Sequence, residues 1–193
     1  MKGETMEYLI FDTETTGLPK NWRAPLTRLD NWPRMVQLAW VLYDDSGNKL
    51  QQQVRIIKPE GFTIPKDVSK IHGISTEKAI KEGTSLLGVL NQFCAILNRG
   101  SLILVAHNMN FDEKILGAEL LRMEIESNFF KLPKICTMKT TIDYCNLPGK
   151  KYPQLAELYY KLFQSRFEGA HSADNDALAC GRCFFELRKR KIV

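Results

Sequence analysis

Carboxylates recur in this chain where runs of apolar residues end. Asp12 and Glu14 close the run YLIFDTE, Asp112 follows LILVAHNMNFD, and Asp176 lies in HSADNDALA, five residues after His171. Two acidic residues two apart at the end of a strand share one face, with attachment points about 7 Å apart, so both reach one cluster. Carboxylates that close are costly to hold unless something positive lies between them, and hard oxygen donors suit Mg²⁺ or Mn²⁺. Each has a plainer reading in isolation. Asp-Thr-Glu caps turns, and an Asp in a helical first turn is favoured by the helix dipole. Asp176 would sit beside the small apolar residues Ala173 and Ala177, where a charge without a partner is poorly placed. His171, ionising ordinarily at about pH 6.5, is the side chain suited to take a proton from an attacking water.

These groups need a scaffold that brings strand ends together. Tyr8 to Asp12 reads as a central strand buried on both faces. A polar loop with Trp22 and Trp32 runs from Lys20 to Pro33; its role is packing or substrate contact, and packing is favoured. MVQLAWVLYD and KLQQQVRIIKP then form a hairpin around the turn Asp44 to Asn48. Apolar spacing predicts a helix from Leu86 to Leu97, stopped by Asn98-Arg99-Gly100. A strand Leu102–His107, a helix from about Asp112 to Met123 and a short strand near Ile135 follow. A helix from about Pro153 to Phe163, with the proline in its first turn, precedes a last helix from the N-cap Ser172 to about Lys189. Three strands, helix, strand, helix, strand and helices describe a mixed sheet covered by helices. With no internal repeat or linker, one domain over 1–193 is expected.

Composition sets the class. The chain has 193 residues, 44% apolar and 25% charged, which is ordinary for a globular protein. No run approaches the roughly 18 apolar residues of a membrane span and the N-terminus has no secretory core, so the expected setting is intracellular and cytoplasmic. Most of the five irregularly spaced cysteines are read as buried thiols, and neither disulfides nor a zinc site at Cys180 and Cys183 is expected. The net charge of +5 permits a polyanionic partner without requiring one. The basic run Arg188 to Lys191 is read as a solvated helix end.

Taken together, three segments resemble a known family. FDTETTG (Phe11 to Gly17), VAHNMNFD (Val105 to Asp112) and HSADNDA (His171 to Ala177) are similar to the three motifs of the DEDD exonucleases of the histidine subclass, and IHGIS (Ile71 to Ser75) to that family's substrate loop. The resemblance implies an α/β, ribonuclease-H-like fold: a mixed five-stranded sheet flanked by helices. It implies catalysis by Asp12, Glu14, Asp112, His171 and Asp176 with two divalent cations, Mg²⁺ or Mn²⁺. One cation would be held by Asp12, Glu14 and Asp176, the other by Asp12 with Asp112, and His171 would be the general base. Thr15, Thr16, Leu18, Ile71, His72, His107, Asn108 and Phe111 match positions lining the terminal-nucleotide pocket.

The implied activity is 3′-to-5′ hydrolysis of single-stranded DNA ends to nucleoside 5′-monophosphates. DTETTG is nearer the DNA-proofreading pattern, so DNA is favoured over RNA. An exoribonuclease or oligoribonuclease is the alternative within the family, and a non-catalytic nucleic-acid-binding module has no reason to keep all five side chains. Association with a DNA polymerase is the less expected arrangement, because the chain ends soon after its last helix.

Overall fold

β1 (Glu7–Thr15) changes character halfway along its length. Tyr8 to Phe11 are buried on both faces, whereas beyond them only Thr13 and Thr15 are buried and Asp12 and Glu14 stay half-buried. The computed structural model, which describes residues 5–169 and 172–193, thus runs the strand four residues past its apolar run and keeps the carboxylates on it.

Around β1 lies a five-stranded sheet in the order β3-β2-β1-β4-β5, with β2 (Met35–Asp44), β3 (Lys49–Ile56), β4 (Leu102–Ala106) and β5 (Lys134–Cys136). β1 is antiparallel to β2 and parallel to β4, and β4 is parallel to β5. This is the mixed sheet expected, with β1 at its centre. The helices are α1 (Lys66–His72), α2 (Thr76–Glu82), α3 (Leu86–Leu97), α4 (Met109–Arg122), α5 (Thr137–Thr140), α6 (Ile142–Cys145), α7 (Leu155–Phe163) and α8 (Ala173–Lys189).

The period-2 alternation of β1 and β2 divides the core. Leu9, Phe11, Leu38 and Trp40 pack with α3 and α4, and Phe93 of α3 meets Phe11 and Trp40 edge-on at 5.8 and 5.6 Å. Tyr8, Ile10, Ala39 and Val41 pack instead against Ala173, Ala177, Cys180 and Phe184 of α8. α7 lies against the far side of α8 through Leu158, Tyr159 and Leu162.

Several boundaries differ from the sequence reading. α1 and α2 were not expected, since each is only seven residues long and neither carries a sustained apolar stripe. α4 begins at Met109, so Asp112 sits within its first turn rather than at its start. Pro153 precedes α7 instead of entering it, because Gln154 is the N-cap and forms a capping box with Glu157. Ser172 does occupy the N-cap of α8, but its hydroxyl donates to Asp174 at 2.5 Å. The amide of Ala173 donates instead to buried Gln37 Oε1 at 3.1 Å, which ties α8 to β2. All five cysteines are free thiols, and Cys180 and Cys183 are buried. Arg188, read as solvated, pairs with Asp45 at 2.9 Å and lies 4.7 Å over the Tyr8 ring.

The loop before β2 is fastened to α4 by a buried carboxylate. Glu119 is fully buried and accepts from Arg34 Nε at 3.0 Å and the Met35 amide at 2.8 Å, and it pairs with Arg122 at 3.1 Å. Arg122 also donates to the carbonyls of Leu29 (2.6 Å) and Trp32 (2.8 Å). Removing one partner of such a buried cluster leaves the others uncompensated. Glu119→Ala is therefore expected to lower the unfolding free energy by about 3–5 kcal/mol in urea denaturation. A change within about 0.5 kcal/mol would contradict the cluster's role.

Candidate active site

The site is built where strands run out. β1 and β4 pair only as far as Ile10 with Val105, so beyond that point β1's backbone is unpaired on the β4 side. The first turn of α4 fills the gap: Asp112 Oδ1 accepts from the Thr13 amide at 3.2 Å and from its hydroxyl at 2.7 Å. α8 enters over the opposite face of β1 and brings Asp176 in its first turn. In sheets with parallel strands this crevice at the carboxyl ends is where ligand sites form.

Three of the expected carboxylates converge there. Asp12, Glu14 and Asp176 each offer a ligand oxygen, all within 4.8 Å of one another. Burial pushes the Asp12 carboxyl well above its ordinary range, with Asp112, Asp176 and Glu14 adding repulsion. Burial, then Asp176 and Asp112, raises Glu14 to about 7. Burial likewise raises Asp112 to about 7, against the opposing effect of its bonds from Thr13. An all-oxygen donor set that repels itself fits a hard divalent cation, which would supply the missing positive charge. His171 lies outside the described residues.

A cleft of about 720 Å³ opens beside the carboxylates and includes Asp12 and Asp176 in its wall. Of the residues expected to contact substrate, Leu18, His107, Asn108 and Phe111 line it, Leu18 being 74% exposed. Thr15, Thr16, Ile71 and His72 do not. Thr15 Oγ1 donates to the Gly17 carbonyl at 2.7 Å, and Thr16 Oγ1 accepts from the Arg34 amide at 3.0 Å, so both shape the exit of β1. Ile71 is exposed, whereas His72 is buried with Nδ1 accepting from the Ile74 amide.

His107 is held at both ring nitrogens. Nε2 lies 2.9 Å from the Pro153 carbonyl, which can only accept, so the ring carries its proton there. Nδ1 then accepts from Thr137 Oγ1 at 3.0 Å. Burial holds this histidine down at about 4, neutral at physiological pH. Its ring therefore clamps the segment before α7 to the end of β4.

The cleft also includes residues that the sequence reading did not nominate: Trp22, Met138, Tyr152 and Phe167. Trp22 departs from the packing role favoured for the Lys20 to Pro33 loop and lines the cleft. Trp32 does pack, 3% exposed against Ala24 and Ala118, but Trp22 is 43% exposed and sits against Phe111 with ring centroids 5.8 Å apart. Nothing in the spacing of the two tryptophans separates these roles.

Known proteins resemble the chain along most of its length. The profile of the RNase T family, described as an exonuclease, matches residues 9–184. The chain is 28% identical over 192 residues to the DNA polymerase III subunit epsilon of Treponema pallidum, covering 94% of this chain and 76% of that protein. It is 30% identical over 187 residues to the PolC-type DNA polymerase III of Streptococcus mutans, of which it spans 11%. E. coli exonuclease I in complex with a dA16 oligonucleotide superposes with a TM-score of 0.78 at 17% identity, over 96% of this chain and 41% of that one.

The raised carboxyls couple stability to pH. A group with a folded pKa above its unfolded value stabilises the fold fully below the unfolded value, and that contribution is lost as pH rises through the folded one. For Glu14 and Asp112 the window runs from 4.5 and 3.8 up through about 7. The metal-free protein is expected to melt at falling temperature across that window, and millimolar Mn²⁺ should restore more stability at pH 8 than at pH 5. Asp12→Asn should raise the melting temperature of the metal-free protein at pH 8. Thermal melts with EDTA or Mn²⁺ decide it: equal Mn²⁺ effects at both pH values would refute the coupling.

Proposed function

We propose the following activity for this chain, which belongs to the RNase T family of exonucleases: hydrolysis of single-stranded DNA from the 3′ end, releasing nucleoside 5′-monophosphates. The observation that carries it is the convergence of Asp12, Glu14 and Asp176 within 4.8 Å at the wall of a cleft with exposed apolar side chains. Asp12, Glu14 and Asp176 would hold one divalent cation, and Asp12 with Asp112 a second. Two such cations, Mg²⁺ or Mn²⁺, supply charge neutralisation at the phosphodiester and make the attacking water more acidic.

The remaining work falls to side chains. Thr13 donates to Asp112 Oδ1 through its amide and its hydroxyl, which would fix the orientation of this carboxylate. His171 accepts the proton of the attacking water. Leu18, Asn108 and Phe111 hold the terminal nucleotide, and His107 holds the wall of its pocket. Thr15 and Thr16 fix the turn that presents Leu18. Apolar and aromatic contacts accept any base, so sequence preference is weak. DNA over RNA is supported by the name of the Treponema relative and by the oligonucleotide in the exonuclease I complex. A DNA polymerase is the proposed partner, supported by the name of the Treponema relative alone, and the described helices include none long and apolar enough to cross a membrane.

Matched single-stranded DNA and RNA oligomers test this reading. DNA with a 3′-hydroxyl should yield 5′-monophosphates with Mg²⁺ or Mn²⁺, a 3′-phosphate should slow release at least tenfold, and RNA should be the poorer substrate. Asp12→Ala and Asp176→Ala should fall to background while remaining folded, and His171→Ala should lose about 10² to 10⁴ in kcat. Cleavage of circular single strands at a comparable rate would identify an endonuclease, and faster RNA hydrolysis would reverse the substrate preference.

A further inference from the structure

The loop between Gly17 and β2 holds its backbone and its side chains by different means. Asn21 and Asn31 clamp its neck, with the Asn21 amide donating to Asn31 Oδ1 at 2.8 Å and Asn31 Nδ2 donating back to the Asn21 carbonyl at 3.0 Å. Lys114 Nζ, on α4, donates to the Trp22 carbonyl at 2.8 Å and lies 5.0 Å over the Trp32 ring. Trp32 fills the space beneath, buried against Ala24 and Ala118. The loop is thus anchored through its backbone and through Trp32, and the Trp22 indole is not needed to close it.

That indole stands in the acidic cleft. It is 43% exposed, tilted 48° on Phe111, and shares the cleft with Leu18 and Tyr152, which are 74% and 55% exposed. A single exposed aromatic needs no explanation, but several lining one cleft beside carboxylates form an apolar patch of the kind that marks a ligand groove. The cleft's volume of about 720 Å³ lies in the upper part of the range for small-ligand pockets, roughly 300–1,000 Å³. A ring fixed by its own backbone loses little freedom when a flat ligand stacks on it.

We infer that Trp22 is a base-stacking residue, extending the Phe111 wall so that the end of a single strand is gripped by a nucleobase lying on the indole. The inference rests on the proposed exonuclease reading and adds to it a residue that sets affinity for the strand without reading base identity. Trp22 acts on binding, not on the hydrolytic step, because its place is on the aromatic wall and not among the carboxylates.

Fluorescence reports this ring selectively, since Trp32 and Trp40 are 3% and 0% exposed. With Ca²⁺ in place of Mg²⁺ and the Asp12→Asn variant to suppress turnover, a single-stranded oligothymidylate should quench tryptophan emission saturably. The quench should vanish in the double variant that also carries Trp22→Ala. In the otherwise wild-type enzyme, Trp22→Ala should raise KM for the same oligomer about 10- to 100-fold with kcat changed less than about threefold, and Trp22→Phe should recover most of the loss. All four homopolymers should be affected within a factor of about five. A wild-type enzyme that hydrolyses the oligomer while Trp22→Ala leaves KM and the quench unaltered overturns the stacking role alone. A wild-type enzyme that hydrolyses neither DNA nor RNA overturns the exonuclease reading beneath it. Should Trp22→Ala prove unfolded by circular dichroism, Trp22→Phe and the wild-type quench still decide: no quench on the wild-type indole refutes the proposal.

Discussion

Repulsion among four carboxylates is the constraint around which the structure is arranged. Two full charges 4.8 Å apart repel by on the order of 3 kcal/mol at an effective dielectric near 20, and burial adds a desolvation cost to each. A fold stable by only about 5–15 kcal/mol cannot carry several such terms unless the groups hold protons or share a cation. Asp12, Glu14 and Asp112 are all pushed upward, as this demands. The sheet bears the strain because β1 is its central strand, bonded to β2 along its length, with its unpaired flank supported by α4.

From that constraint the outer parts of the site follow. Gln37, opposite Glu14 in the β1–β2 register, receives the first amide of α8 and so fixes the helix that delivers Asp176. On the β4 side, neutral His107 joins Thr137 and Pro153, and Thr137 also touches Cys180 of α8 at 3.7 Å. The carboxylates are thus held from both neighbouring strands, and the aromatic wall is held separately, through Glu119, Arg34 and Arg122. In the proposed activity, affinity for a strand end and the chemistry at its phosphate would be supported by different scaffolding.

Much of this was legible in the residues. The apolar run before Asp12 identifies the central strand because only a strand buried on both faces needs Leu9, Ile10 and Phe11 in succession. The hairpin turn at Asp44 to Asn48 is marked by its polar, glycine-containing composition, and the family and mixed sheet implied by the three motifs are those found. The short helices α1 and α2 were not legible, since seven residues provide too few repeats for a period to emerge. Neither was the division between Trp22 and Trp32, which depends on Lys114 and Ala118 arriving from α4, a contact across some 90 positions that no local pattern encodes. The tautomer of His107 was hidden for the same reason, because its partners Thr137 and Pro153 belong to other elements.

The central claim is that Asp12, Glu14, Asp112 and Asp176 together bind divalent cations, and that protons held by these carboxyls are displaced on binding. Titration calorimetry with Mn²⁺ near pH 7, repeated in buffers of different ionisation enthalpy, measures both quantities at once. Saturable binding with net proton release, abolished in Asp12→Asn, is the result predicted from carboxyls poised at about 7. Absence of saturable binding, or binding that releases no protons and survives Asp12→Asn, would contradict it.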